Sequence, residues 1–158
     1  MGQFWILNKC TDVLDGKSLT MSLTAPERYM KNILILDDNR DILDALSVNL
    51  CRVLKDCTIF TSLNGAKGEA ILKTTSIDLI LTDLSMPMVN GYRFIEHVKK
   101  NYPFVPVCVM TGKCSPDVIE RLQSMGVGRW IEKPFQFEQL AHMIAEELKP
   151  ERQNPPQG

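Results

Sequence analysis

The sequence has no cysteine pairing that would mark a structural role for its thiols. Cys10, Cys51, Cys57, Cys108 and Cys114 are odd in number, none stands in a C-x-x-C pair, and His97 and His142 are isolated. Neither a disulfide framework nor a zinc site is favoured by that pattern, and reduced thiols point to the cytoplasm. Long apolar runs are missing too: nothing approaches the ~20 residues a membrane span requires. The short run Phe4 to Leu7 has no charged region before it and no A-x-A-like site after it, so it fails as a signal peptide. Charge of one sign is not in excess, with 18 basic against 19 acidic side chains and a net charge of -1. That balance removes the strongest argument for a nucleic-acid partner or an anionic membrane, both of which demand a basic surplus. There are no internal repeats or low-complexity tracts, and Gly16-Lys17-Ser18 is not a P-loop, because Thr11 stands where its first glycine is required.

What the 158 residues do contain is enough for one core and too little for a separate output module. We expect an N-terminal extension over 1–30, a domain over 31–150 and a disordered tail over 151–158, whose amide side chains and prolines leave little to bury. Within the domain, short apolar runs alternate five times with longer amphipathic stretches, the pattern of βα units that build a parallel sheet. The strand candidates are Ile33–Leu36, the weaker Thr58–Thr61, Leu79–Thr82 ending at Asp83, Val105–Met110 stopping at Thr111-Gly112, and Arg129–Glu132. The first helix carries Ile42, Leu43, Leu46, Leu50, Val53 and Leu54 at helical spacing, with Asn39 or Asp41 as its cap. A second helix is expected from about Ala66, with Ala70, Ile71 and Leu72 inward and Gly68 weakening it by ~1 kcal/mol relative to Ala. Pro87 and Asn90-Gly91 mark a turn before a helix over Tyr92–Lys100. Ser115-Pro116 and Gly126 frame the fourth helix, and Phe137, Leu140, Ile144 and Leu148 give the last one its buried face, with Pro150 ending the domain.

In an open parallel sheet, functional residues gather at the carboxyl ends of the strands. Those ends here are Asp37-Asp38, Asp83, Thr111 and Lys133. Clustered carboxylates repel unless a cation sits among them, and a hard divalent ion such as Mg2+ takes oxygen ligands and keeps several waters. The set suits phosphoryl transfer: a metal and a lysine neutralise phosphoryl oxygens, a hydroxyl binds another, and one carboxylate attacks phosphorus in line. Asp83, alone at its strand end, is the natural nucleophile, while adjacent Asp37 and Asp38 are better placed to hold a metal.

The segments Ile35-Leu36-Asp37-Asp38-Asn39, Thr82 to Gly91 (TDLSMPMVNG), Met110-Thr111-Gly112 and Glu132-Lys133-Pro134-Phe135 together resemble a bacterial two-component response regulator receiver domain, over about residues 31 to 149. The resemblance implies a flavodoxin-like doubly wound five-stranded parallel sheet, order 2-1-3-4-5, with helices on both faces. It implies that Asp83 becomes the 4-aspartylphosphate, taking its phosphoryl group from a sensor histidine kinase or histidine phosphotransfer protein. Mg2+ would be held by Asp38 and Asp83, by Asp37 through water, and by the main-chain carbonyl of Ser85. Lys133 would pair with the phosphoryl group, ahead of a cis Lys133-Pro134 bond, and Thr111 would move toward it as the trigger. The coupled aromatic position is Trp130, bulkier than the tyrosine, phenylalanine or histidine usual in the family, and it is either a rotameric switch or a static aromatic of the partner surface. Ser85 and Lys113 are candidates for tuning the phosphoryl lifetime.

On this reading the chain is a stand-alone signalling switch rather than an enzyme, acting on a downstream protein through about Ser115–Leu148, with a phosphorylation-dependent dimer left open. A phosphorelay intermediate is the alternative, and an interaction module without the chemistry a weaker one. An aspartate-dependent phosphatase would want a second acid two residues after its nucleophile, where this chain has Ser85, and a cap segment that it lacks.

Overall fold

A computed structural model describes residues 29–86 and 90–149. The extension up to residue 28, Pro87, Pro150 and the tail lie outside the described residues, as do Cys10 and Gly16-Lys17-Ser18. The apolar runs become five strands: β1 (Lys31–Leu36), β2 (Cys57–Ser62), β3 (Leu79–Asp83), β4 (Val107–Thr111) and β5 (Arg129–Glu132). All the pairings are parallel and the order is β2-β1-β3-β4-β5, as expected. Ile33 to Leu36, Leu79 to Leu81 and Val107 to Met110 are almost fully buried because both faces of the central strands are covered, which is why they read as continuous rather than alternating runs. Edge strand β2 is only half-buried, and its sequence signal is correspondingly weaker.

Five helices cover the sheet: α1 (Arg40–Val53), α2 (Gly65–Thr74), α3 (Gly91–Asn101), α4 (Pro116–Ser124) and α5 (Phe137–Glu147). Successive strand residues point to opposite faces. Ile33, Ile35, Leu79, Leu81, Cys108 and Met110 pack against Leu43, Leu46 and Leu50 of α1 and Leu140, Ala141 and Ile144 of α5. Leu34, Leu36, Ile80, Val107 and Val109 meet Leu72 of α2, Phe94, Ile95 and Val98 of α3 and Leu122 of α4. The in-plane register, with Ile33 beside Leu79 and Leu81 beside Cys108, keeps each face continuous across strands. From β1 the chain crosses to β2 on one side and then returns to β3 on the other, so a crevice opens beyond the carboxyl ends of β1 and β3.

The helix boundaries follow local chemistry. The Asn39 side chain caps α1 by accepting from the Asp41 and Ile42 amides, so Asn39 rather than Asp41 is the cap. Asn64 and Asn90 cap α2 and α3 in the same way. Ser115 precedes α4 as expected, yet its hydroxyl makes no capping bond. Past the end of α4, Gly126 has φ +75 and its amide reaches Gln123 O, while Val127 N reaches Leu122 O. These are the paired bonds of a Schellman motif, with Leu122 and Val127 sharing the core.

Three expectations are corrected. β4 begins at Val107 rather than Val105: Val105 N bonds Tyr102 O in a turn, and Pro106 has no amide to donate to a ladder. It also runs on to include Thr111. In α2, Ala70, Ile71 and Leu72 cannot all face inward, since consecutive helical residues diverge by ~100°. Leu72 is buried, Ile71 half-buried and Ala70 exposed, and the inward positions are Gly65, Gly68 and Leu72. Gly68 is therefore a packing requirement and not a mere weakness of the helix: a Cβ there would stand 2.7 Å from Leu36 Cδ2 and 3.1 Å from the Phe94 ring. Leu36 and Phe94 are both fully buried and have little room to yield. Gly68→Ala should therefore lose stability by about 1 to 2 kcal/mol, overpacking outweighing the gain in helix propensity. Urea denaturation checks this, and a rise in midpoint would show that the helix shifts freely off the sheet.

Candidate functional site

β1 and β3 end side by side, and their ends are acidic: Asp37 and Asp38 follow β1, and Asp83 is the last residue of β3. Asp37 (1% exposed) and Asp83 (4%) are buried, and Asp38 is exposed. Each offers a carboxylate oxygen within 4.8 Å of the other two. At such a separation two unit charges repel by roughly 3 kcal/mol in a medium of effective dielectric ~20. One cation answers them from the far end of the domain: Lys133 Nζ lies 2.7 Å from Asp37 Oδ2 and 3.5 Å from Asp83 Oδ2. The other Asp37 oxygen accepts from Asn39 N at 2.9 Å. Asn39 thus braces the carboxylate with its amide while its side chain caps the helix that follows.

β4 brings Thr111, buried and next to the lysine strand, with Lys133 N donating to Thr111 O at 2.8 Å. The Thr111 hydroxyl is engaged with its own loop, donating to Lys113 O at 3.1 Å and accepting from Lys113 N at 3.2 Å. The Lys133-Pro134 bond is cis, as the resemblance implied. Ser85 and Lys113 are exposed in the loops after β3 and β4. Trp130 lies beside Val109 on β5, half-buried against the core under α2, α3 and α4.

Some features of the site were not read from the sequence. Gly91, taken there as a turn residue, is buried: a Cβ at that position would stand 2.3 Å from Asp83 O and 2.7 Å from Leu84 Cα. The start of α3 therefore leans on the backbone that carries Asp83, an approach only glycine permits. Glu132 Oε1 accepts from Cys114 N at 3.0 Å, tying the loop after β4 to the end of β5. The four described cysteines are free. Burial pushes the Cys108 thiol up to about 12, so it is a neutral core side chain.

The arrangement can bind a hard cation and an anion together. Three carboxylates against one ammonium leave an unneutralised negative charge, and an all-oxygen cluster this tight is a donor set suited to Mg2+ and poorly suited to a soft metal. A doubly wound parallel sheet with this acid cluster, a strand-end hydroxyl and a lysine after the last strand is the architecture of a phosphoacceptor signalling module.

The model for the response regulator receiver domain matches residues 33–145, and the chain belongs to that family. Its fold is similar to that of Vibrio cholerae chemotaxis protein CheY4, at 26% identity and a TM-score of 0.71, covering 75% of this chain and 99% of that one. A CheY-like receiver domain protein from Methanospirillum hungatei JF-1 gives a TM-score of 0.69 at 25% identity, over 75% of this chain and 94% of its own. A response regulator receiver protein of Anaeromyxobacter sp. (strain Fw109-5) is 29% identical over 107 residues, 66% of this chain and 43% of that protein. The DNA-binding transcriptional regulator NtrC of Escherichia coli (strain K12) is 26% identical over 110 residues, 70% of this chain and 23% of that protein. The chain thus spans less than half the length of these curated relatives. Receiver domains are signalling phosphoacceptors that typically use Mg2+. Among the described residues no helix is long and apolar enough to cross a membrane.

The ion pair makes a prediction about stability. Lys133→Met leaves Asp37 buried beside Asp83 without its cation, and in chelator-treated buffer it should cost about 2 to 3 kcal/mol, below the fully buried range because the ammonium side chain is 25% exposed. Asp37→Asn removes repulsion and attraction together and should stay within about 1 kcal/mol of wild type. In the double variant the cost of losing Lys133 should fall by at least half, and strict additivity in urea denaturation would refute the pairing.

Proposed function

We propose that this domain is a Mg2+-dependent phosphoacceptor in which Asp83 takes a phosphoryl group from a phosphohistidine on a sensor kinase or a phosphotransfer protein. The observation that carries this reading is the Lys133 ammonium held between Asp37 and Asp83 at the rim where β1, β3 and β5 end. A carboxylate oxygen of Asp83 attacks phosphorus, the P–O bond forms as the P–N bond breaks, and the departing imidazole nitrogen keeps the electron pair and is protonated. Asp38, Asp83 and the Ser85 carbonyl, with Asp37 through water, would hold Mg2+, which would supply charge neutralisation for the phosphoryl oxygens. Lys133 exchanges its carboxylate partner at Asp83 for a phosphoryl oxygen, and Asp37 retains its hold on the ammonium. Thr111 releases Lys113 O and donates to the phosphoryl group instead.

The output is read as a protein contact through α4, β5 and α5, about Ser115–Leu148, with half-buried Trp130 among them as either a moving or a static contact. The phosphodonor is expected near α1, whose Val48 and Val53 are exposed apolar side chains. A cytoplasmic location and signalling without catalysis on other substrates belong to the same reading.

Incubation with acetyl phosphate and Mg2+ should give a single phosphoryl adduct by intact-protein mass spectrometry. Asp83→Asn and chelation of the metal should each abolish it, and an adduct that survives in Asp83→Asn would overturn the assignment. Lys113 is exposed at the mouth of the site, two residues past Thr111. Lys113→Ala should shorten the half-life of the adduct by opening it to water, and an unchanged decay would remove Lys113 from the lifetime-setting residues.

A further inference from the structure

The loop after β4 is held by bonds of two kinds. Inside it, the Thr111 hydroxyl bonds Lys113 O and Lys113 N. Across it, Cys114 N donates to the Glu132 carboxylate at 3.0 Å, a contact spanning 18 residues of sequence. Glu132 is paired with Thr111 in the β4–β5 register, and its neighbour Lys133 donates its own amide to Thr111 O. One short stretch of β5 therefore carries both the ammonium of the site and the acceptor that pins the trigger loop. No ion pair to Glu132 exists among the described residues, so the Cys114 amide is the partner its carboxylate has.

We infer that Glu132 is a positioning residue that tethers the loop Thr111–Cys114 in its resting place and thereby sets how readily Thr111 reaches a phosphoryl group on Asp83. The inference rests on the phosphoacceptor reading and adds to it a residue outside the acid cluster. The chemistry is that of a charge-assisted bond to a single amide. A movement of Thr111 toward Asp83 that carries Cys114 with it has to stretch the Cys114–Glu132 contact, so the tether opposes that movement. A solvent-exposed bond of this kind is worth a few-fold to about tenfold in an equilibrium between two loop positions.

The test compares wild type, Glu132→Ala and Glu132→Gln in the full chain. Glu132→Ala should raise the rate of adduct formation from acetyl phosphate and Mg2+ by about two- to tenfold. Glu132→Gln keeps a carbonyl acceptor without the charge, so its rate should lie between those of wild type and Glu132→Ala. In 15N-labelled protein without phosphodonor, the Cys114 amide resonance should move upfield in Glu132→Ala and far less in Glu132→Gln. Beryllofluoride, which mimics the phosphoryl group, should move the wild-type resonance toward the Glu132→Ala position. If both variants accelerate equally, the effect is charge at the site mouth and the tether is refuted. If all three proteins form adduct at one rate, or the Cys114 amide is indifferent to Glu132→Ala, it is refuted as well. Wild type that forms no adduct at all overturns the underlying phosphoacceptor reading, and the Cys114 resonance still reports on the tether independently.

Discussion

Everything distinctive about this domain depends on one ammonium group bridging two carboxylates that the fold forces together. Asp37 and Asp83 are brought within a few ångströms of each other because β1 and β3 are neighbours and end at the same level. Lys133 reaches Asp37 from 96 residues away in the chain. The strand order makes this meeting obligatory: β4 and β5 extend the sheet on the β3 side, so the residue following β5 can turn back over the rim toward β3 and β1. Burying two like charges with one counterion costs free energy that a purely structural corner would avoid. The dense apolar layers on both faces of the sheet keep the rim in place despite that cost.

Much of this was legible in the sequence, for a physical reason. Central strands of a parallel sheet are buried on both sides, so Ile33–Leu36, Leu79–Leu81 and Val107–Met110 form uninterrupted apolar runs with a polar residue at each carboxyl end. The polarity of the strand ends was thus visible as punctuation, and the punctuation is the site. What could not be read was anything dependent on the distance between elements. Gly68 counts as a flaw in a helix until Leu36 and Phe94 are seen against it, and Gly91 as an ordinary turn glycine until the Asp83 carbonyl is seen 2.3 Å from where its Cβ would be. Glu132 is one more surface acid in the sequence, and only the folded loop brings Cys114 N to it. The start of β4 escaped prediction similarly, because Pro106 acts through an amide it does not have.

The covering helices are not equally held. α3 buries Gly91, Phe94, Ile95 and Val98, whereas α4 buries Leu122 alone, helped by half-buried Val118 and Met125 and by the Arg121 guanidinium 3.9 Å over the Tyr92 ring. Each fully buried aliphatic or aromatic side chain contributes on the order of 2 kcal/mol, so α4 is, like α2 with Leu72 alone, far more lightly anchored than α3. It is also the helix that directly follows the Thr111 loop. A lightly anchored helix is therefore attached directly to the loop that carries Thr111.

These two asymmetries, an over-charged rim and an under-anchored helix, belong to one argument about energy. A two-state element responds to a ligand only by as much as the ligand distinguishes its states, and a few kcal/mol is enough to invert a modest bias. The rim can supply a difference of that size because its resting state is electrostatically unrelieved, with three carboxylates facing one lysine. The loop can receive it because the Thr111 hydroxyl rests on bonds to Lys113 that are local and replaceable, not on the core. A better-neutralised site or a more deeply packed α4 would give a more stable domain with less free energy to transmit. On the proposed reading, a change of charge on Asp83 would draw on that unrelieved repulsion to shift the Thr111 loop and the helix α4 that follows it.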